Sequence, residues 1–159
     1  RAARDDGQVS STAIRRALIE GRLVEANLML GRPYEMRGPV TAGDARGRTL
    51  GFPTANVAIG HEMLMPADGI YAGQMVLAES GRVLPSAIYV GKRPTFYDDR
   101  AMTLLKVHAL DFAGDLYDKD TLVRFTHRIR PDARFATVEE LTAQLRRDCD
   151  DAARLLNLR

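Results

Sequence analysis

The chain has 159 residues, of which 45% are hydrophobic and 28% are charged, and its formal net charge at pH 7 is +2. These values are typical of a globular protein with a core of its own, and so small a charge gives no reason to expect nucleic acid or a membrane surface as a partner. A single cysteine, Cys149, excludes an intrachain disulfide and favours a reducing, cytoplasmic location.

The N-terminal part of the chain predicts a helical appendage. Ser10 begins a segment of hydroxyl side chains that suits a helix N-cap, and a second helix is expected over 23–30, ending at Gly31. The segment VSSTAIRR also resembles the ISSTxxR motif of nucleotidyltransferases, whose HxGH-type motif does not occur in this sequence. We therefore interpret residues 1–31 as the tail of a missing nucleotidyltransferase domain and residues 32–159 as a second domain.

From Tyr34 onward, short segments of alternating hydrophobicity separated by turn residues predict β-strands. The expected strands cover 35–42, 54–58, 69–78, 83–91, 103–112 and 121–130. Strands at this spacing without intervening helices favour an antiparallel sandwich or a small closed barrel.

The end of the chain predicts one long amphipathic helix, over about 137–157, that covers the sheet. Thr137 and Glu140 have the spacing of a capping box. The apolar stripe expected to face the sheet comprises Val138, Leu141, Leu145, Ala152 and Leu155.

The segment GDARGRTLGFPTAN, residues 43–56, is the first candidate for function. Its glycines allow the backbone to approach a ligand closely, and its two arginines suit phosphate oxygens. Thr54 and Asn56 lie two apart, so on an extended segment their neutral oxygens share one face and suit a hard cation such as Mg²⁺. An ordinary solvated turn is the alternative for this composition, and no GxxxxGK[ST] phosphate loop occurs in the chain.

The unit GRTLGFPTAN resembles the PTAN signature of riboflavin kinases, including the kinase half of bifunctional bacterial enzymes that make FMN and then FAD. The resemblance extends over about 31–157. Its further motifs, in chain order, are LGRPY (30–34), PADGIYAG (66–73), VGKRPTF (90–96), GDLYDK (114–119) and RIRPDARFATVEELTAQLRRD (128–148).

The resemblance implies a fold and a reaction. The fold is mainly β with flanking helices, a six-stranded antiparallel β-barrel with a C-terminal helix and, in this chain, the N-terminal appendage. The reaction transfers the γ-phosphoryl group of Mg-ATP to the ribityl 5′-hydroxyl of riboflavin and gives FMN. The implied partners are riboflavin or FMN, ATP or ADP with Mg²⁺, and an N-terminal FMN adenylyltransferase domain in the parent protein.

The resemblance also implies roles for individual residues. Thr54 and Asn56 match the positions that bind Mg²⁺ and phosphate, and 90–96 matches a loop that closes over the active site. A cavity at the barrel mouth is expected to hold the flavin ring. The implied nucleotide-binding residues are Gly43, Gly47, Arg48, Phe52, Pro53, Thr54 and Asn56, and the implied flavin-binding residues are Arg128, Arg130 and Phe135.

One position departs from the family pattern. The strand that matches LLKVHALDF normally carries a glutamate two residues before the histidine, the presumed base for the ribityl hydroxyl, and here that residue is Lys106. An ammonium group donates hydrogen bonds and accepts none. Lys106 and Arg48 are the candidate catalytic residues, and three interpretations stay open: a kinase without its usual base, a neutral Lys106 acting as base, or a non-catalytic flavin- or nucleotide-binding module. A deliberate substitution of the catalytic acid would give the same pattern.

Overall fold

A computed structural model describes residues 10–41, 51–97 and 100–159. For residues 92–97, 100 and 101 it describes the backbone only. Within these ranges two helices precede six strands and one helix follows them. The elements are α1 (Ser11–Ile19), α2 (Leu23–Leu30), β1 (Tyr34–Thr41), β2 (Ala55–Gly60), β3 (Gly69–Leu77), β4 (Val83–Tyr97), β5 (Arg100–Ala109), β6 (Asp120–Arg130) and α3 (Val138–Leu155).

The six strands form a closed barrel in the order β1-β2-β5-β4-β3-β6, with every neighbouring pair antiparallel. The predicted barrel is therefore confirmed, and it decides between the two architectures that strand spacing alone left open. Alternate side chains fill its interior, among them Ile88 on β4, Leu105 on β5 and Phe125 on β6, each with no exposed surface. This period of two is what the strand geometry requires.

Helices α1 and α2 pack onto the barrel and share its hydrophobic core through Leu18 and Leu23. Asn27 ties the pair to two strands, because its amide nitrogen donates to the Phe125 carbonyl at 2.9 Å and its amide oxygen accepts from the Tyr34 backbone N–H at 2.9 Å. The described part of the predicted appendage, residues 10–31, thus packs against the barrel and shares its core. The assignment of residues 1–31 to a missing domain stays a prediction.

Helix α3 begins at the predicted capping box. The Thr137 hydroxyl accepts from the Glu140 backbone N–H at 3.1 Å, and the Glu140 carboxylate accepts from the Ala136 N–H at 3.1 Å. The predicted apolar stripe is wrong at its two ends, where Val138 and Leu155 are exposed. Ala152 of the predicted stripe is buried, and the helix touches the barrel there through small residues near its C-terminal end, which let the two surfaces approach closely. This contact comprises Ala152 and Ala153 of the helix with Ala72 and Leu110.

Strand β4 is longer than predicted, and β5 begins and ends three residues earlier than predicted. β4 continues to Tyr97, so residues 90–96 lie in a strand paired with β5, with an irregularity between Val90 and Pro94. The face of β5 that carries Leu104 and Lys106 is the outer face of the barrel, while Leu105 is buried inside. Both faces carry apolar residues, so alternation alone could not tell which was interior.

We expect Thr137→Ala to destabilise the protein by about 1 kcal/mol, because the N-terminal amide of α3 loses its hydroxyl acceptor. Urea unfolding followed by circular dichroism measures this loss. Val138→Ala is the matched control, since it shortens an exposed side chain at the next position and should change the free energy of unfolding by less than about 0.5 kcal/mol. Equal losses in the two variants would contradict the capping role.

Candidate functional site

Two cavities meet at the segment that leads into β2. The first, which we call the wall cavity, has a volume of about 310 Å³ and lies between the outer face of the barrel and α3. Its lining is mostly apolar and aromatic, a composition typical of small-molecule sites. Prominent lining residues are Phe52, Ile70, Tyr89, Phe135, Leu141 and Leu145.

The second cavity, which we call the mouth cavity, has a volume of about 530 Å³. It opens at the ends of β1, β2 and β5 and is closed on one side by the turn 112–117. Polar groups contribute more to its lining than in the wall cavity, among them Thr41 and Asp115. Thr54 lines both cavities, so this one residue stands where they meet.

Strand pairing places Asn56 opposite Lys106. In the barrel Asn56 on β2 is the register partner of Lys106 on β5, and Lys106 is in turn the partner of Tyr89 on β4. Directly opposed residues on antiparallel strands have Cβ atoms about 4.5–5.5 Å apart. The fold therefore places Asn56 and Lys106 on the outer face of the barrel, where Thr54 lines the wall cavity together with Lys106. Asn56 itself is buried and lines neither cavity.

His108 holds the segment that precedes Thr54. Its Nδ1 lies 2.8 Å from the Pro53 carbonyl oxygen, a hydrogen bond that requires the proton on Nδ1. The ring also meets Phe52 edge to face, with 5.8 Å between centroids. Sequence analysis missed this role, although the spacing of two residues from Lys106 already placed His108 on the same strand face.

A buried ion pair fixes α3 to β6 beside the wall cavity. The Arg130 guanidinium donates to both carboxylate oxygens of Asp148, at 2.9 and 2.7 Å, and these side chains are only 18% and 3% exposed. The Gln144 amide donates to the same carboxylate at 2.9 Å. Arg130 also lies 5.7 Å from the centre of the Phe135 ring, so two predicted flavin-binding residues form part of the cavity framework.

The other predicted site residues fall into three groups. Arg128 does not line the wall cavity, because its guanidinium donates to the Asp68 carbonyl at 2.7 Å and lies beside Gly21, at the junction between α1 and the barrel. Gly43, Gly47 and Arg48 lie outside the described residues. Phe52 and Pro53 are at the site, one lining each cavity.

Two lining residues of the wall cavity have no sequence signal that would have selected them. The Tyr89 hydroxyl donates to the Asp132 carboxylate at 3.0 Å, which links β4 to the segment after β6. Cys149 faces the cavity from α3. Burial, with a smaller contribution from the carboxylate of Asp148, raises the pKa of its thiol to about 11, so the thiol is neutral at physiological pH.

The oxygen atoms at the site suit a metal ion that is already coordinated by phosphate and water. Thr54 and Asn56 offer neutral oxygens, and Mg²⁺ commonly takes one or two protein ligands while phosphate and water complete its octahedron. Within the described ranges, no three His, Cys, Asp or Glu side chains are grouped to hold a metal by themselves. Over the same residues, no helix is both long and apolar enough to cross a membrane.

Comparison with known proteins identifies the family. Residues 30–156 match the family model described as Flavokinase, riboflavin kinase. The chain is 41% identical over 144 residues to the bifunctional riboflavin kinase/FMN adenylyltransferase of Listeria monocytogenes, covering 91% of this chain and 45% of that protein. It is 40% identical over 157 residues to the Bacillus subtilis protein of the same description, with 97% and 49% covered. The chain thus spans about half the length of these relatives.

Several solved structures resemble this one, and two of them are informative. A Streptococcus pneumoniae structure described as a macrolide-efflux protein superposes with a TM-score of 0.79 at 35% identity, covering 92% of this chain and 47% of that chain. The riboflavin kinase of Trypanosoma brucei superposes with a TM-score of 0.57 at 20% identity, covering 79% of this chain and 78% of that one. The second likeness shows that the barrel fold is shared.

Removing the Asp148 carboxylate should weaken the attachment of α3 to β6. We expect Asp148→Ala to lower the free energy of unfolding by about 3–5 kcal/mol, because the Arg130 charge stays buried without a partner. Asp150→Ala on the same helix removes a pair with Arg159 that is more than half exposed, and should cost less than about 1 kcal/mol. Urea unfolding of both variants tests the difference, and equal small losses would contradict the anchoring role.

Proposed function

The chain belongs to the riboflavin kinase family, and from that premise we propose that it transfers the γ-phosphoryl group of ATP to the ribityl 5′-hydroxyl of riboflavin, with the flavin in the wall cavity and the nucleotide at the mouth cavity. The single observation that carries this assignment is that Thr54 lines both cavities. A phosphoryl group held beside Thr54 is within reach of ligands on either side.

The wall cavity suits a flavin ring better than it suits a nucleotide phosphate. Phe52 and Phe135 offer aromatic surfaces for the planar isoalloxazine, and Leu141 and Leu145 add apolar contact from α3. We therefore propose that the flavin binds at the outer wall of the barrel, where Arg130 and Phe135 lie, and not in the barrel mouth as the sequence analysis expected.

The mouth cavity suits the nucleotide. Thr41 and Thr54 line it together with the turn 112–117. The predicted phosphate-binding segment with Gly43, Gly47 and Arg48 follows Thr41, which lines this cavity, and precedes Phe52, which lines the wall cavity.

Phosphoryl transfer depends mainly on positioning and on neutralising charge. Bound Mg²⁺ would supply charge neutralisation on the phosphate oxygens. The chain contributes the Thr54 hydroxyl and the Asn56 amide oxygen as its ligands, and His108 restrains the segment that carries Thr54. Lys106, as an ammonium, cannot take the proton from the ribityl hydroxyl, so we propose a kinase that works without its family's usual base.

Restoring the carboxylate tests this proposal. We expect Lys106→Glu to raise the rate of FMN formation from riboflavin, ATP and Mg²⁺ on the order of 10²–10⁴-fold, the usual contribution of a general base. Chromatographic separation of riboflavin and FMN measures the rate. Lys106→Met, which removes the charge without supplying a base, should raise the rate of FMN formation far less.

The alternative function is a flavin- or nucleotide-binding module without turnover, and the cation at the base position is the observation that favours it. Calorimetry would then detect binding of riboflavin or ADP, while neither the natural chain nor Lys106→Glu would form FMN. This pair of results would establish the module and reject the kinase. Turnover above the uncatalysed background would reject the module.

The alkylation rate of Cys149 can be used to determine which ligand enters the wall cavity. Because burial raises the pKa of its thiol to about 11, we expect slow alkylation by iodoacetamide at pH 8 and an increasing rate as the pH rises toward the pKa. Riboflavin should slow this reaction several-fold at pH 9, while ADP leaves it nearly unchanged. The urea-unfolded chain, in which the thiol is solvated, is the fast control. Protection by ADP alone would reverse the assignment of the two cavities.

A further inference from the structure

Lys106 brings a charge into the wall cavity that the proposed phosphoryl transfer does not require. Its side chain lines the cavity together with Thr54, and strand pairing fixes its backbone between Asn56 and Tyr89. In the described part of the chain, no carboxylate lies within ion-pair distance of its ammonium. The charge is therefore available to a ligand.

The carboxylates that line the same cavity are already engaged. Asp148 accepts two hydrogen bonds from Arg130 and one from Gln144. Asp132 accepts from the Tyr89 hydroxyl at 3.0 Å and from the Ala133 backbone N–H at 2.8 Å. The Arg130 charge is balanced by Asp148, and Asp132 is held by two neutral donors, so among the described residues neither carboxylate is paired with Lys106, and its ammonium can attract an anion near Thr54.

We propose that Lys106 makes the wall cavity selective for a 5′-phosphorylated flavin, so that this chain binds FMN more tightly than riboflavin. The inference rests on the proposed function, in which the ribityl end of the flavin points to Thr54. A phosphate monoester carries a charge of about −1.5 to −2 at pH 7. Attached to that end, it would lie on the strand face that carries Lys106, where the ammonium acts as a phosphate-binding point charge.

Partial burial strengthens this attraction, because Lys106 is only part exposed and charges interact more strongly where water is excluded. Riboflavin, which has a neutral hydroxyl at the same end, gains nothing comparable. A glutamate at this position would repel the phosphate instead. Lys106 in place of the family's glutamate thus favours the phosphorylated flavin over riboflavin.

The test measures dissociation constants of FMN and riboflavin by quenching of flavin fluorescence, without nucleotide or metal. For the natural chain at low salt we expect FMN to bind on the order of 10-fold more tightly than riboflavin, as a charge-assisted contact provides. The preference should fall as salt is raised, because the charges are screened. In Lys106→Met the ratio should approach one while riboflavin affinity changes less than about 2-fold, and Lys106→Arg should keep the preference.

Lys119→Met is the matched control, because this exposed lysine lines neither cavity, and it should keep the full FMN preference. Riboflavin binding by Lys106→Met shows that the variant is folded. An unchanged FMN preference in Lys106→Met would overturn the role of Lys106 and leave the proposed kinase function standing. Absence of binding by either flavin to the natural chain would overturn both.

Discussion

The antiparallel pairing of β2 with β5 is the constraint on which the site depends. It sets Asn56 opposite Lys106 and carries Thr54 to the point where the wall and mouth cavities meet. A slip of β2 by one residue against β5 would turn Asn56 to the other face, into the barrel core, while Lys106 stayed outside. Barrel closure holds the register, since each of the two strands has a second neighbour. The edge-to-face contact and hydrogen bond of His108 then fix the segment before Thr54.

The wall cavity lies beside the N-terminal half of α3, while the middle and the C-terminal end of the helix are held against the barrel. Alanines near the C-terminal end of the helix allow close approach, and the Arg130–Asp148 pair fixes the middle of the helix to β6. The N-terminal half, with Leu141 and Leu145, then forms one side of a cavity. A buried ion pair is a costly way to join two elements, but its fork geometry fixes orientation as well as distance, which a site between a helix and a sheet requires.

The barrel and the helices were predictable from the sequence because they follow from local patterns: alternation in the strands, a capping box before α3, and turn residues between strands. The family was predictable from the motifs around Thr54 and Asn56. The position of the wall cavity, the proposed flavin site, was not predictable, since it depends on how α3 docks, and that is set by a contact between Arg130 and Asp148 that no local pattern specifies. For the same reason Arg128 and Arg130, two residues apart in sequence, have different roles, one at the junction with α1 and one at the cavity.

The central claim is that one residue, Thr54, separates a flavin site on the barrel wall from a nucleotide site at its mouth. A crystal structure with riboflavin, ADP and Mg²⁺ bound together tests it most directly. We expect the isoalloxazine between Phe52 and α3, the diphosphate on the side of Thr41, and the ribityl chain directed to Thr54. A flavin ring seated in the barrel mouth, or a diphosphate bound away from Thr54 and Asn56, would contradict the account.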